Sequence, residues 1–296
     1  MPLTNIVCCS GDECSVAECL GHAASRKNKC NFTAEMLASM YATVQERGER
    51  ITTTALIAKC IRREHLTRNE PYALEPKSLW ASFRGTMFHG QLERHVMPGS
   101  IEEPRYFVEL PDLGELTGSP DLIDVSRGIL YDYKNTGSIP RYGTPWSDHV
   151  EQLNINRWLV DNAYKVEHRG DIFDLTDPET RALYVPMDWQ DLIVVYMDEK
   201  GPMPMRCTKS VQVPAVSGGT KNARVADIWE DTYAEEFIRE HYLIAKQALV
   251  ERILPDIPVG YEGQSHVLCG YCPVRRRCRE LEMKELLTEH SPKEKR

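Results

Sequence analysis

Two aspartates and a lysine stand close together in a part of the chain whose pattern is typical of short β-strands. Asp121 lies in the stretch 118–124 (GSPDLID), and Asp132 and Lys134 lie in 130–134 (LYDYK). Because alternate side chains of a strand share a face, we expect Asp132 and Lys134 to project from the same side. A turn near Arg127–Gly128 is expected to return the chain and bring Asp121 beside them.

This combination of residues suits the hydrolysis of phosphodiesters. Carboxylate oxygens are the ligands that Mg²⁺ and Mn²⁺ prefer. Such a metal polarises the phosphate and lowers the pKa of a bound water. A lysine nearby orients that water or neutralises the charge of the transition state. The three residues therefore predict metal-dependent phosphodiester hydrolysis.

The same stretch resembles a known family signature. Pro120–Asp121, a gap of ten residues, and Asp132-Tyr-Lys134 resemble the motif of the PD-(D/E)XK nucleases. His89, in 84–90 (RGTMFHG), resembles the upstream histidine of the RecB-like group. Gln152, in 151–158 (EQLNINRW), resembles the downstream glutamine of that group.

The resemblance implies a role for each of these residues. It implies a catalytic set of Asp121, Asp132, Lys134 and Gln152, and metal ligands from His89, Asp121, Asp132 and the backbone carbonyl of Tyr133. Either Glu103 or Glu109 is expected near the site, and the sequence does not choose between them. A tyrosine normally follows the glutamine by four residues. Asn156 occupies that position here, which leaves the DNA-contacting role of this helix open.

Three cysteines near the end of the chain form a metal-binding pattern. Cys269, Cys272 and Cys278 have the spacing Cys-x2-Cys-x5-Cys and require a fourth ligand from elsewhere. Four thiolates suit either zinc or a [4Fe–4S] cluster, and the spacing does not separate them. No secretory signal precedes these cysteines, so the chain is expected in a reducing cytoplasm, or in a host cytoplasm if it is viral.

The resemblance favours iron. The iron–sulfur subgroup of RecB-like nucleases, which includes the CRISPR-associated exonucleases, places one cysteine upstream of the histidine motif and three at the C-terminus. Cys60 has the upstream position, and Cys30 is the competing choice. A [4Fe–4S] cluster on Cys60, Cys269, Cys272 and Cys278 would join the two ends of the chain. It would also gather arginines into a DNA-binding surface: Arg62, Arg63, Arg275, Arg276 and Arg277.

A second group of cysteines crowds the N-terminus. Cys8, Cys9, Cys14, Cys19 and Cys30, with His22 nearby, could hold a separate Zn²⁺. They lack the Cys-x-x-Cys spacing of common structural sites. Incidental thiols remain an equal alternative.

Composition narrows the class of protein. The 296 residues are 42% hydrophobic with a formal net charge of −8. That charge argues against a surface covered in basic residues for non-specific DNA binding, but it does not exclude DNA as a partner. No apolar run approaches the roughly 18 residues of a membrane span. The Gly-x4-Gly-Lys-Ser/Thr motif is absent, so unwinding would need a helicase partner, and an integrase is another candidate partner.

The elements that must position these residues predict an α/β fold. We expect a central mixed β-sheet flanked by helices, with a restriction-endonuclease-like core. The predicted segments are 1–50 (cysteine-rich and helical), 51–200 (nuclease core) and 201–296 (C-terminal helix and cluster). The predicted helices are 32–46, 53–66, 78–96, 147–162 and 227–253. The predicted strands are 105–110, 116–125, 128–134, 181–187 and 191–197, with 1–30 irregular and 201–219 a loop.

The leading functional prediction is an exonuclease on DNA ends, with single strands as substrate. An endonuclease on duplex DNA is the close alternative. A non-catalytic DNA-binding or scaffold module, stabilised by iron–sulfur or zinc, is the alternative from another class.

Overall fold

A computed structural model describes residues 3–8, 11–25, 32–42, 44, 50–70, 72–95, 97–136, 139–140, 143–198, 201–214, 220–258, 269 and 272–289. Cys9 and Cys30 lie outside the described residues. The chain divides into two compact units, one of residues 1–49, 58–83 and 245–296 and the other of 50–57 and 84–244. The division into segments 1–50, 51–200 and 201–296 stays a prediction.

The first unit contains a three-stranded mixed sheet. Its strands are β1 (Leu3–Val7), β2 (Glu13–Ser15) and β4 (Tyr72–Leu74), in the order β2-β1-β4. β1 pairs antiparallel with β2 and parallel with β4. Its helices are α1 (Val16–Ala24), α2 (Ala34–Ala42), α4 (Ile61–Asn69) and α9 (Arg275–Glu289). Its core cluster consists of Ile6, Cys8, Cys19, Leu37, Met40 and Leu79.

The prediction that residues 1–30 are irregular was wrong. β1, β2 and α1 occupy much of this stretch. Ser15 begins α1 with a capping box, in which the Glu18 backbone N–H donates to Ser15 Oγ and the Ser15 N–H donates to the Glu18 carboxylate. The Ser-x-x-Glu sequence is a local signal for a helix start.

The second unit contains two five-stranded mixed sheets and a hairpin. The first sheet has the order β11-β10-β6-β7-β3, from β3 (Ile51–Thr52), β6 (Arg105–Leu110), β7 (Gly114–Gly118), β10 (Lys165–His168) and β11 (Asp171–Asp174). The second has the order β13-β12-β9-β8-β5, from β5 (Ser100–Glu102), β8 (Leu122–Asp124), β9 (Ile129–Asn135), β12 (Asp191–Asp198) and β13 (Gly201–Arg206). The hairpin pairs β14 (Thr208–Pro214) with β15 (Thr220–Ala226).

Helices accompany these sheets. They are α3 (Thr53–Leu56), α5 (Pro76–Leu92, of which residues 84–92 belong to this unit), α6 (Ser147–Asn162), α7 (Pro178–Tyr184) and α8 (Asp231–Leu249, of which 231–244 belong to it). Mixed sheets flanked by helices confirm the predicted α/β class. The helix 147–162 and the strand 105–110 have the predicted bounds, and β12 extends the predicted strand 191–197 by one residue.

Several predicted elements were wrong in type or extent. The predicted strand 181–187 was wrong, since residues 178–184 form a helix that Asp177 caps at its N-terminus and that has Pro178 in its first turn. The predicted loop 201–219 contains β13 and β14. Pro202 and Pro204 are accommodated because β13 lies at the edge of its sheet. The predicted helix 53–66 is divided into α3 and α4, and the predicted strand 116–125 is divided into β7 and β8.

None of the helices in the described ranges has both the length and the apolar character needed to cross a bilayer.

Candidate active site

Asp121 lies at a bend between two strands of different sheets. β7 ends at Gly118 and β8 begins at Leu122. The hydroxyl of Ser119 lies 3.0 Å from the carbonyl oxygen of Glu103 and 3.1 Å from that of Pro104. The Glu103 N–H donates to the Asp121 carbonyl at 3.0 Å. These contacts fix the bend, so that Asp121 faces β9.

Asp132 and Lys134 lie on β9, which pairs antiparallel with β8. The Lys134 Nζ is 3.0 Å from Asp132 Oδ1 and 2.9 Å from Oδ2. Alternation along the strand therefore places both side chains on one face, as predicted. The Tyr133 N–H between them donates to Asp121 Oδ2 at 2.6 Å. Asp132 is buried, and the Lys134 side chain remains 24% exposed.

Gln152 joins this group from α6. Its Oε1 accepts a hydrogen bond from Lys134 Nζ at 2.9 Å. The lysine thus binds an anion on its own strand and an amide on a helix.

His89, on α5, lies on the other side of Asp121. Its Nδ1 is 2.8 Å from Glu103 Oε1 and 3.7 Å from Asp121 Oδ1. The sequence left Glu103 and Glu109 open. The structure places Glu103 against His89, whereas Glu109 lies exposed on β6 opposite Glu115. No local sequence signal distinguished these two carboxylates.

The pKa values of Asp121 and His89 follow from the burial and close approach of the charged groups in the site. Burial, and then the negative charge of Asp132, raise the pKa of Asp121 to about 7, against the opposing effects of His89, the Tyr133 N–H and Lys134. The hydrogen bond to Glu103 raises the pKa of His89, because it stabilises the protonated imidazole.

The donor set fits a hard divalent cation. The carboxylates of Asp121 and Asp132 lie near one another, His89 Nδ1 is 3.7 Å from Asp121 Oδ1, and the Glu103 carboxylate contacts the same ring nitrogen. Mg²⁺ and Mn²⁺ accept such oxygen-rich sets. The backbone carbonyl of Tyr133 stays a predicted ligand.

Asn156 follows Gln152 by one turn of α6. It is 1% exposed, and its side-chain nitrogen and oxygen have no hydrogen-bond partner within the described part of the chain. Burial keeps this side chain from contacting DNA at the surface. Asn156 therefore does not supply the contact that the corresponding tyrosine would make.

The four predicted cluster cysteines lie together in the first unit. Cys60, Cys269, Cys272 and Cys278 line one cavity, which is also lined by Arg62, Arg63 and Arg275. Burial raises the pKa of Cys272 and of Cys278.

The predicted DNA-binding arginines differ in exposure. Arg62 is 2% exposed, and its guanidinium donates to the Pro255 carbonyl at 2.7 Å, so it is not on the surface. Arg63 lies 3.0 Å from Glu64, and Arg277 makes two hydrogen bonds to Glu70. Arg275 and Arg276 are exposed. They line a concave surface with Arg279 and Lys284, and Glu280 is the acidic member among the described residues that line it.

Three residues of the N-terminal cysteine group also converge. The ligand atoms of Cys8, Cys14 and His22 lie within 4.8 Å of one another. Cys19 is not part of this set. It is buried, with its Sγ 3.3 Å from the Tyr41 hydroxyl.

Comparison with known proteins identifies the family. The model of the family described as "PD-(D/E)XK nuclease superfamily" matches residues 34–279. A solved structure described as "Crystal structure of SSO0001" is similar, with 14% sequence identity and a TM-score of 0.43, over 83% of this chain and 94% of that chain. No curated protein matches the chain.

Proposed function

Because the chain belongs to the PD-(D/E)XK nuclease superfamily, we propose that it is a metal-dependent DNA exonuclease that acts on single-stranded ends. The observation that carries the nuclease activity is the placement of Asp121, at the bend before β8, beside Asp132 and Lys134 on β9. The finer choice of single-stranded ends is supported by the order of the His89, Asp121 and Gln152 motifs, which resembles that of RecB-like exonucleases.

We assign the binding of Mg²⁺ or Mn²⁺ to Asp121, Asp132 and His89, with the Tyr133 carbonyl as a further ligand. A divalent cation supplies polarisation of the scissile phosphate and a bound water of lowered pKa. Glu103 holds the His89 imidazole through its 2.8 Å contact and so fixes the ring beside Asp121.

Lys134 is the group that acts on the reacting atoms. Its side chain is partly exposed, and Asp132 and Gln152 contact its ammonium from two elements. In this position it orients the attacking water and offsets negative charge as the phosphate becomes five-coordinate. Gln152 is a positioning residue, because it acts through Lys134.

We further propose a [4Fe–4S] cluster on Cys60, Cys269, Cys272 and Cys278. The proposal is supported by the single cavity that all four residues line and by the spacing of the C-terminal three. Such a cluster would join distant parts of the sequence. The exposed Arg275 and Arg276, near two of the cysteines in sequence, would then bind DNA phosphates.

The test uses anaerobically purified protein with linear and circular single-stranded DNA, and with linear duplex DNA, in Mg²⁺ or Mn²⁺. We expect the linear single strand to be shortened from an end, with activity lost in Lys134→Ala and Asp121→Ala. Activity should be kept in Glu109→Gln, a carboxylate change away from the site. Equal cleavage of the circle would contradict end dependence.

Metal analysis separates the alternatives. Iron-loaded wild-type protein that cleaves none of these substrates would favour the non-catalytic binding module. Protein that carries zinc instead of iron at the four cysteines would refute the cluster and leave the nuclease proposal standing. Neither helicase nor integrase is needed for the assay, although a helicase partner would supply single strands in the cell.

A further inference from the structure

The first hairpin of the chain brings two cysteines to one face. β1 and β2 pair antiparallel, with Ile6 opposite Cys14. Cys8 follows Ile6 by two residues, so it points to the same side of the hairpin. Two hydrogen bonds join the two strand ends, since the Cys8 N–H donates to the Asp12 carbonyl and the Gly11 N–H donates to the Cys8 carbonyl, each at 2.8 Å. Gly11 has a φ of 89°, which favours glycine.

The helix that follows adds an imidazole. The capping box at Ser15 starts α1 directly after β2, so the direction of the helix is fixed next to Cys14. About two turns later, His22 places its Nδ1 3.6 Å from Cys8 Sγ. Cys8 is buried, Cys14 is half-buried and His22 is exposed, so the group lies where one side is open to solvent.

The spacing of these atoms suits a shared metal. Zn–S bonds of about 2.3 Å and Zn–N bonds of about 2.0–2.1 Å at a tetrahedral angle separate the sulfur and nitrogen by about 3.6 Å, and two sulfurs by about 3.8 Å. The observed distance between sulfur and nitrogen is 3.6 Å, and all three ligand atoms lie within 4.8 Å of one another. A cation at their centre therefore requires little movement of the side chains.

A simple thiol–imidazole hydrogen bond would explain the contact of Cys8 with His22. It would not explain why a second thiol, that of Cys14, converges on the same point from the opposite strand. By comparison, Cys19 is a cysteine of this unit whose side chain packs in the core, where it is buried beside the Tyr41 hydroxyl. Cys8 belongs to the same buried cluster as Cys19, whereas the half-buried Cys14 and the exposed His22 give the group its open side.

We propose that Cys8, Cys14 and His22 bind a Zn²⁺ ion that ties the N-terminal hairpin to α1. Two thiolates and an imidazole are ligands typical of zinc rather than of Mg²⁺ or Mn²⁺. The described residues supply three ligands of a tetrahedral site. The role is structural, because the metal joins three consecutive elements of one small sheet-and-helix unit and its binding energy contributes to their folding. The inference is independent of the proposed nuclease activity.

The experiment measures zinc and iron per chain by mass spectrometry in the full-length protein. The protein is first incubated with Zn²⁺ under reducing conditions and then desalted. We expect Cys14→Ser and His22→Ala each to lose about one zinc per chain relative to wild type, with iron unchanged. The matched control is Cys207→Ser, a buried thiol in the second unit, which should keep the zinc.

A rescue variant keeps the test independent of misfolding. His22 is exposed, so His22→Cys is expected to fold and to keep the zinc with a third thiolate. After Co²⁺ replaces zinc, this variant should show a stronger thiolate charge-transfer absorption than wild type. Equal zinc in wild type, Cys14→Ser and His22→Ala would overturn the proposal. So would wild-type protein that takes up no zinc at this site.

Discussion

The Lys134 ammonium donates a hydrogen bond to Gln152 Oε1 at 2.9 Å while it lies within 3.0 Å of both carboxylate oxygens of Asp132. One lysine thus connects β9 with α6. Because the lysine side chain has several rotatable bonds, Asp132 alone would leave its Nζ free to swing about that carboxylate. The second contact, from a helix, limits Lys134 to one position.

We therefore predict that Gln152→Ala lowers kcat by roughly 100-fold, the effect of displacing a catalytic group by about 1 Å, with little change in KM. Steady-state cleavage of a labelled single strand measures both constants. Asn162→Ala, an exposed amide at the end of the same helix, is the control and should leave kcat unchanged. A Gln152→Ala variant with wild-type kcat would show that Lys134 does not need the amide.

Glu103 is predicted to set the charge of His89. Its carboxylate raises the pKa of the imidazole above the ordinary 6.5. Glu103→Gln should therefore shift the NMR titration of His89 to lower pH in metal-free protein, whereas Glu109→Gln should not. An unchanged titration in Glu103→Gln would rule out this pairing.

The sign of the accompanying stability effect follows. A folded-state pKa above the unfolded value means that the pair stabilises the fold fully below the unfolded pKa. That contribution is lost as the pH rises through the folded pKa of His89. Glu103→Gln should accordingly lower the free energy of unfolding by the largest amount on the acidic side of neutrality. Urea unfolding at several pH values would measure this.

Local patterns predicted the centre of the site well. Asp132 and Lys134 share a face because strand side chains alternate, and this requires no knowledge of the rest of the fold. The turn at Gly128 was also predicted from a local pattern, because this glycine interrupts two strand-like stretches. It has a φ of 65°, and a Cβ there would lie 1.9 Å from the Asp188 carbonyl oxygen, so glycine is needed.

Tertiary context decided what the sequence did not. Glu103 rather than Glu109 lies near His89 because Ser119 and Asp121 hold the backbone of residues 103–104 beside the bend. Pro202 and Pro204 suggested a loop, yet an edge strand tolerates proline because one side of it needs no ladder hydrogen bonds. The place of a strand within its sheet is not a local property of the sequence.

Gly118 is predicted to be essential for the bend that carries Asp121. A Cβ at this position would lie 2.6 Å from Thr53 Cγ2 and 3.0 Å from Asn156 Oδ1. Gly118→Ala should cost about 1–3 kcal/mol of unfolding free energy, as overpacked sites do, and should reduce cleavage because the bend moves.

Gly85→Ala is the matched comparison for this change. Gly85 lies inside α5, and a Cβ there meets nothing within 4 Å. The variant should be more stable than wild type by about 0.5–1 kcal/mol, the usual gain from replacing a helical glycine. Urea unfolding of both variants measures the difference. Gly118→Ala with wild-type stability would mean that Thr53 moves aside without cost.

Arg276 and Arg277 are predicted to contribute unequally to DNA binding, although they are neighbours on α9. The Arg276 side chain is 87% exposed and has one contact to Glu280, whereas Arg277 is 33% exposed and makes two hydrogen bonds to Glu70. A phosphate must displace the doubly bonded Glu70 carboxylate from Arg277, whereas at the more exposed Arg276 it competes with a single contact from Nε to Glu280. In a Lys134→Ala background, Arg276→Ala should weaken binding of single-stranded DNA and reduce the slope of log K against log salt by about 0.7.

Arg277→Ala should change the slope less, and Arg239→Ala, on α8, should leave it unchanged. Anisotropy titrations at several salt concentrations measure the slope, and equal slopes for Arg276→Ala and wild type would exclude this surface as the phosphate-binding site.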